Sequence, residues 1–180
     1  MKGIIFNSAE VNTILAGNKS QIRSVIKVQP SNDLTHFGKC PFGEIGDLVF
    51  VKESFWQFGG YDSGIDCDEP RFIGRDKITF CQEEAAKPQT LNKAWKKRPA
   101  QYMKQHQSRI TLRIKDISVE RLQEISEGGV RDEGFDILKI HPFESCFTQF
   151  KEHWNATHKK PEEKWEANPW IWKIEFEVVK

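Results

Sequence analysis

The stretch WIWKIEFEV at residues 170–178 decides the fold class, because apolar and charged side chains alternate along it. Every even-numbered residue from Trp170 to Val178 is apolar, and every charged residue is odd-numbered. Alternate residues of a strand face the same side of a sheet. The period therefore predicts a β-strand with one side buried.

Four other segments predict extended structure. Residues 4–6 and 48–51 are short apolar runs, which are typical of buried strands. Apolar residues alternate with polar ones over 110–115, as in a half-buried strand. Residues 19–26 follow a helix and are polar-rich, so we expect them to be extended as well.

Helical periodicity marks three segments between these strands. Asn7 or Ser8 is expected to cap a first helix that ends at Gly17. Ser126 is expected to cap a second, short helix ending near Glu133. A third helix is predicted from an apolar stripe that we interpret as core, formed by Phe143, Phe147, Phe150 and Trp154.

Together these elements predict an α+β fold built around a small curled sheet or barrel. A chain of 180 residues is expected to form a single domain over residues 1–180. Residues from about 57 to 107 lack a sustained period and are rich in Gly, Asp and Pro. We expect a long irregular insertion there, with one short helix around residues 83–86.

Composition excludes several classes of protein. With 38% hydrophobic residues, 29% charged residues and a mean hydropathy of −0.61, the chain is neither disordered nor fibrous. No apolar run approaches the roughly 20 residues that span a bilayer, and no secretory signal is visible, so we expect a cytoplasmic protein without a membrane partner. Four separated cysteines, without a Cys-x-x-Cys pair, indicate neither a disulfide framework nor a zinc site.

Charge is distributed unevenly along the chain. Residues 93–113 contain seven Lys or Arg and no acid, whereas residues 44–84 contain ten acids and four bases. The basic segment also contains Trp95 and Tyr102, and cations interleaved with aromatic rings suit phosphate contacts and base stacking. A solvated basic surface paired with the acidic segment is the alternative interpretation.

The segment Gly17-Asn18-Lys19-Ser20-Gln21-Ile22-Arg23 resembles the opening motif of ASCH domains, Gly-x-Lys-Thr-x-Thr-x-Arg, and its phage and prophage variant, Gly-x-Lys-Thr-Gln-Thr-Arg-Arg. The resemblance continues in order over most of the chain, and is weakest over residues 57–90. It is carried by residues 40–48, 51–56, 108–112, 120–126, 133–134 and 168–172.

This resemblance implies a PUA-like pseudo-barrel with a cleft beside the first helix. Such proteins act on RNA or nucleosides. Some small ASCH proteins resemble 4-acetylcytidine amidohydrolases, which use a Lys, a Thr and a Glu, and others resemble RNA-binding modules or ribonucleases. By motif position the lysine is Lys19 and the glutamate is Glu133, but the threonine is replaced by Ile22.

Amide hydrolysis needs a nucleophile, a base and donors for the oxyanion. Lys19 and Glu133 are the predicted catalytic pair, with Lys19 a base only in a pocket that disfavours its charged form. Ile22 has no hydroxyl, so the nucleophile is expected to be Ser20 or a water held between Lys19 and Glu133. No cofactor is implied.

A second group of residues is expected to hold a base and its phosphate. It comprises Arg23, Lys52, Glu53, Trp56, Lys96, Lys97, Arg98, Tyr102 and Arg109. No metal site is expected, because His153 and His158 are five residues apart and off one helical face.

Three functional hypotheses follow. The first is a nucleoside or RNA amidohydrolase acting on 4-acylated cytidine. The second is a non-catalytic module that binds single-stranded RNA or a modified base, and the third is a ribonuclease with Lys19 and Glu133 as its acid–base pair. The expected partner is a nucleoside or single-stranded RNA, and a monomer is favoured.

Overall fold

A computed structural model describes residues 1–29, 37–62, 71–86, 93–135 and 146–179. Within these ranges the chain forms a mixed α+β fold with four α-helices and two sheets, one of five strands and one of three. This agrees with the predicted α+β class. The described strands of the larger sheet do not close into a barrel, because its two edge strands, at residues 2–5 and 21–25, are not paired with each other.

The five-stranded sheet has the order β1-β3-β7-β8-β2. Only β1 and β3 are parallel, and the other neighbours are antiparallel. The five predicted extended segments all belong to this sheet. Its strands are β1 (Lys2–Ile5), β2 (Gln21–Val25), β3 (Leu48–Lys52), β7 (Thr111–Arg121) and β8 (Trp170–Val178).

Helix α1 (Ser8–Leu15) begins at the predicted cap. The Asn7 side chain accepts from the Glu10 backbone N–H, and the Glu10 carboxylate accepts from the Asn7 N–H, so each satisfies a donor that a helix end leaves free. The helix ends before Gly17, whose φ of +75° is the left-handed conformation that favours glycine.

Two further helices lie on the side of the large sheet opposite to α1. Helix α3 (Glu127–Asp132) is capped by Ser126, whose side chain accepts from the Gly129 N–H, as predicted. Helix α4 (Cys146–Thr157) contains most of the predicted apolar stripe. Two sequence observations, the stripe residue Phe143 and Cys67, lie outside the described residues.

The core lies on both sides of the large sheet. Ile174 and its even-numbered neighbours pack in a cluster with α1, whereas Ile171 is fully buried in a second cluster with Phe150 and Trp154 of α4. The simple alternation predicted for β8 is therefore incomplete, because helices cover its first half on the face that was expected to be polar.

The expectation of an irregular insertion over residues 57–107 is wrong. Most of its described residues belong to an antiparallel sheet of order β5-β4-β6, with β4 at Phe55–Asp62, β5 at Arg71–Thr79 and β6 at Lys93–Arg98. The predicted short helix is α2 (Gln82–Ala85). A bulge between Gln57 and Gly59, together with the glycines of β4, interrupts the period that identifies a strand.

None of the described helices has the length and apolar character needed to cross a membrane.

Candidate functional site

A cleft with a volume of about 350 Å³ opens beside α1, at the predicted motif. Four parts of the chain line it: the exposed side of α1, the approach to β2, the residues that follow α3, and one side of α4. Two of the three predicted catalytic residues, Lys19 and Glu133, are among its lining residues, and Arg23 and Ile22 also line it. Ser20 does not line the cleft.

Lys19 and Glu133 form a buried ion pair in this cleft. Lys19 Nζ lies 2.6 Å from Glu133 Oε2, and it also donates to the Glu133 carbonyl oxygen at 2.9 Å. A third oxygen, Glu10 Oε1, is 3.7 Å from the same nitrogen. The three N–H groups of an ammonium thus have three oxygens near them. The two partners are only 4% and 7% exposed.

The backbone around the pair explains how it forms. Gly17 turns the chain out of α1, and Lys19 then makes an isolated antiparallel bridge with Glu133, which follows α3. The adjacent Ser20 N–H donates to the Asp132 carbonyl at 2.8 Å. Gly134, with φ of +92°, allows the chain to leave α3 directly beside Lys19.

Arg23 is not free for a phosphate. Its Nη1 lies 3.1 Å from Glu133 Oε1, and its Nε and Nη2 each lie 2.9 Å from Glu120 Oε1. Arg23 and Lys19 therefore hold different oxygens of the same Glu133 carboxylate. The described lining of the cleft contains two cations and two carboxylates, and this balance does not select an anionic ligand.

The cleft has no hydroxyl at position 22, where the resemblance implies the catalytic threonine. Ile22 lies in the cleft wall, where the resemblance calls for a threonine, and Ser20 is only half-buried. Two other hydroxyls line the cleft, from Thr13 and Thr157. Each donates to a backbone carbonyl of its own helix: Thr13 to Glu10, and Thr157 to His153 and Trp154.

Sequence reasoning missed an aromatic wall on α4. Trp154 and His158 are stacked, with ring centroids 3.9 Å apart and an interplanar angle of 15°, and His153 packs edge-on against Phe135. All four line the cleft. The signal was present, because Phe150, Trp154 and His158 recur every four residues and so share one side of a helix. Residues of this stripe therefore pack in the core and also form part of the cleft wall.

The predicted base-holding residues Glu53 and Arg109 form a structural pair. Glu53 is 3% exposed and accepts two hydrogen bonds from Arg109, at 2.8 and 2.9 Å. These bonds raise the pKa of the Arg109 guanidinium above its ordinary value, and partial burial opposes them. The guanidinium also lies 4.5 Å from the Phe80 ring centroid. Neither residue lines the cleft.

Lys52 and Trp56 also lie away from the cleft. Lys52 donates to the Gln101 carbonyl at 3.1 Å and lies over the Phe50 ring. Trp56 is half-buried on β4, opposite Lys97 of β6 and Thr79 of β5. The residues proposed to hold a base are therefore distributed over more than one region of the surface.

The basic segment is divided by the pleat of β6. Opposite residues of paired strands share a face, so Lys96 lies with Gln57, and Arg98 lies with Phe55. Lys97 lies with Trp56 on the other face. Lys97 is thus separated by the sheet from Lys96 and Arg98, the two cations with which it was expected to act. Tyr102 lies beside Arg98, with its ring centroid 4.8 Å from the guanidinium.

No group of His, Cys, Asp and Glu suitable for a metal ion occurs among the described residues. Cys40 and Cys81 are free thiols, the first buried and the second exposed.

Comparison with known proteins adds little. No family model and no curated protein matches the sequence. Among solved structures, the chain is similar to protein EF3133 from Enterococcus faecalis V583, of family DUF984, over 99% of this chain and 81% of that one. The TM-score is 0.47 and the sequence identity 10%, and a likeness of this size carries no conclusion about function.

Proposed function

We propose that this protein is an ASCH-like hydrolase that binds a nucleoside in the cleft and removes an acyl group from the exocyclic amine of cytosine. In this proposal the five-stranded sheet corresponds to the PUA-like pseudo-barrel of that family. The observation that carries the proposal is the buried contact of 2.6 Å between Lys19 Nζ and Glu133 Oε2, because it joins the two matched motif residues inside a cavity.

The size and walls of the cleft support a nucleoside ligand. About 350 Å³ is at the lower end of the range for small-molecule sites. Trp154, His158 and Phe135 provide flat surfaces for a base, and the ionisable pair lies in the same cavity. The balanced charge of the lining suits an uncharged nucleoside better than a phosphorylated one.

We assign the chemical roles as follows. A water molecule attacks the acyl carbon, Glu133 accepts a proton from that water, and Lys19 donates a hydrogen bond to the oxyanion. The proton then passes to the exocyclic nitrogen, so that the C–N bond breaks and cytidine leaves with the free carboxylic acid. A carboxylate 2.6 Å from Nζ suits Lys19 as a donor better than as a base.

The same proposal explains how Ile22 is accommodated. In a mechanism with a water nucleophile the wall at this position needs no hydroxyl, and an apolar side chain excludes other water from the site. Ser20 is absent from the cleft lining, so water is the nucleophile that the geometry favours.

The decisive experiment is chromatographic. The purified protein is incubated with 4-acetylcytidine and bulkier 4-acylcytidines, and cytidine release is compared with that of Lys19→Met and Glu133→Gln. We expect each variant to lose at least 100-fold in kcat/KM, a magnitude typical of a lost oxyanion donor or general base. Lys115→Gln, at a lysine 59% exposed and away from the cleft, serves as the charge-matched control.

Folding must be checked for each variant, because both residues are buried. Lys19→Arg retains the cation and is the second variant at this position. Wild-type protein that is folded and releases no cytidine contradicts the proposal, and so does a folded Lys19→Met variant with unchanged turnover.

A non-catalytic RNA-binding module is the second candidate. Its support is the missing hydroxyl at Ile22 together with the basic edge strand β6, whose four cations include Lys96, Lys97 and Arg98. Binding of single-stranded RNA should then weaken steeply with salt, and neutralising the three cations should reduce the salt dependence. Affinity that is indifferent to salt would exclude this candidate.

A further inference from the structure

A second pocket lies on the three-stranded sheet, and it shares no lining residue with the cleft. Its volume is about 300 Å³, and Arg98 at the end of β6 forms one wall. Tyr102, Lys104 and Gln107, from the short 3-10 turns after this strand, form another. We call it the sheet pocket.

Arg98 has an unused donor in this pocket. Its Nε is buried and has no hydrogen-bond partner among the described residues, whereas the guanidinium lies 4.8 Å from the centre of the Tyr102 ring. A buried donor left without an acceptor costs about 1–3 kcal/mol. The arrangement therefore holds Arg98 in a state that an added acceptor would stabilise.

Two further side chains of the sheet pocket, Gln107 and Lys104, have donors available, whereas the Gln57 amide nitrogen in its lining already donates to the Arg75 carbonyl at 3.0 Å. Gln107 is 8% exposed, and its Oε1 already accepts from the Lys104 backbone N–H at 2.9 Å, so its amide nitrogen is the group still available. Lys104 adds an exposed ammonium. No Asp or Glu is among the described residues that line the pocket, and neither cation forms an ion pair with a described residue.

We propose that the sheet pocket binds the phosphate group of a nucleotide, either free or within single-stranded RNA. The side chains that supply a guanidinium, an ammonium and an amide N–H all line this pocket, its described lining contains no carboxylate, and phosphate oxygens are acceptors for all three groups. Tyr102, with 53% of its surface exposed, is available for stacking of the attached base. This site does not depend on amide hydrolysis in the cleft.

The test measures binding by calorimetry with inorganic phosphate, cytidine monophosphate and a short oligouridylate. We expect phosphate and the monophosphate to compete for one site, and Arg98→Met and Lys104→Gln each to weaken it by at least tenfold. Arg98→Met should not lower the unfolding temperature, because the buried Nε that it removes has no partner among the described residues. A residue needed only for structure would instead lower that temperature.

Lys93→Gln is the matched control. It removes one charge from the same strand, but its register opposite Gly60 places it on the face away from Arg98. Tighter binding of the oligouridylate than of the monophosphate would identify RNA as the source of the phosphate, and equal binding would identify the free nucleotide. The proposal fails if the wild type binds no phosphate at millimolar concentration, or if Lys93→Gln weakens binding as much as Arg98→Met.

The phosphate-binding test and the deacylation assay can fail independently of each other. Phosphate binding without cytidine release would remove the proposed function and retain the sheet pocket. Cytidine release without phosphate binding would retain the proposed function and contradict the phosphate site in the sheet pocket.

Discussion

Lys19 and Glu133, 114 residues apart in the chain, are joined three times: by a backbone bridge, by a bond from Nζ to the Glu133 carbonyl, and by a 2.6 Å contact to its carboxylate. The carboxylate is shared with Arg23. Glu133 is thus the most buried partner of two buried cations, each of which has one less buried carboxylate nearby, Glu10 for Lys19 and Glu120 for Arg23. The contacts also fix the approach to β2 to the end of α3. Because Glu133 is shared, replacing it affects two ion pairs, whereas replacing Lys19 leaves the pair between Glu133 and Arg23 in place.

Glu133→Gln should destabilise the protein more than Lys19→Met. Removing the carboxylate leaves two cations, Lys19 and Arg23, without their shared partner, which should cost about 3–5 kcal/mol. Removing Lys19 leaves Glu133 paired with Arg23 and should cost about 1–3 kcal/mol. Urea unfolding of both variants and of the double variant measures the difference and the coupling. Equal losses would mean that Arg23 does not share the carboxylate in solution.

Gly134→Ala should destabilise more than Gly17→Ala. Both glycines have positive φ, so a side chain costs about 1–2 kcal/mol at either position. A Cβ at Gly17 meets nothing within 4 Å, whereas one at Gly134 lies 3.0 Å from Thr13 Oγ1 and 3.3 Å from Lys19 Cβ. The larger loss at Gly134 should appear in urea unfolding. Identical losses would show that Thr13 and Lys19 move aside without cost.

His158→Ala should weaken binding of cytidine on the order of tenfold while changing stability little, since a stacked ring contributes about 1–3 kcal/mol to binding a base. The imidazole lies parallel to the Trp154 indole at 3.9 Å and lines the cleft. His106→Ala is the control, because His106 is exposed and lies outside the cleft. Calorimetric titration with cytidine decides the question, and equal affinities of the two variants would place the base elsewhere.

The large sheet and the Lys19–Glu133 pair were more predictable from the sequence than the rest of the structure. The helix caps at Asn7 and Ser126 depend on local contacts, and the alternation of β7 and β8 depends on local spacing, so both are visible in the chain. The Lys19–Glu133 contact was inferred through a resemblance, because no local rule connects residues so far apart. The small sheet was missed because Gly59 leaves room for the Phe72 ring, which removes the usual apolar residue from the strand.

The arrangement of the residues predicted to hold a base and its phosphate was less predictable for a related reason. Charge runs are visible in a sequence, but the pleat that separates Lys96 from Lys97 appears only once β6 is known to be a strand. The Glu53–Arg109 pair was likewise invisible, since it depends on β3 and β7 being neighbours.

Arg109→Met should destabilise the protein by about 1–3 kcal/mol, because it leaves the buried Glu53 carboxylate without its two donors. The control is Arg113→Met. Its partner Glu177 is 44% exposed, and exposed pairs contribute less than about 1 kcal/mol. Thermal unfolding of both variants at the same salt concentration makes the comparison. A loss at Arg113 equal to that at Arg109 would contradict the structural role assigned to the Glu53 pair.

Glu166 fixes the segment after α4 to that helix, and this contact should be sensitive to acid. Hydrogen bonding to Lys151, at 2.9 Å, lowers the pKa of the Glu166 carboxyl below its ordinary value of 4.5. A lowered native pKa means that the contact stabilises the fold fully above the unfolded value and is lost as the pH falls through the native one. Lys151→Gln should raise the native pKa toward 4.5, measured by NMR titration of the Glu166 carboxyl carbon, whereas Lys159→Gln, at an exposed lysine, should leave it unchanged. A titration midpoint that does not move in Lys151→Gln would show that this ion pair is not formed in solution.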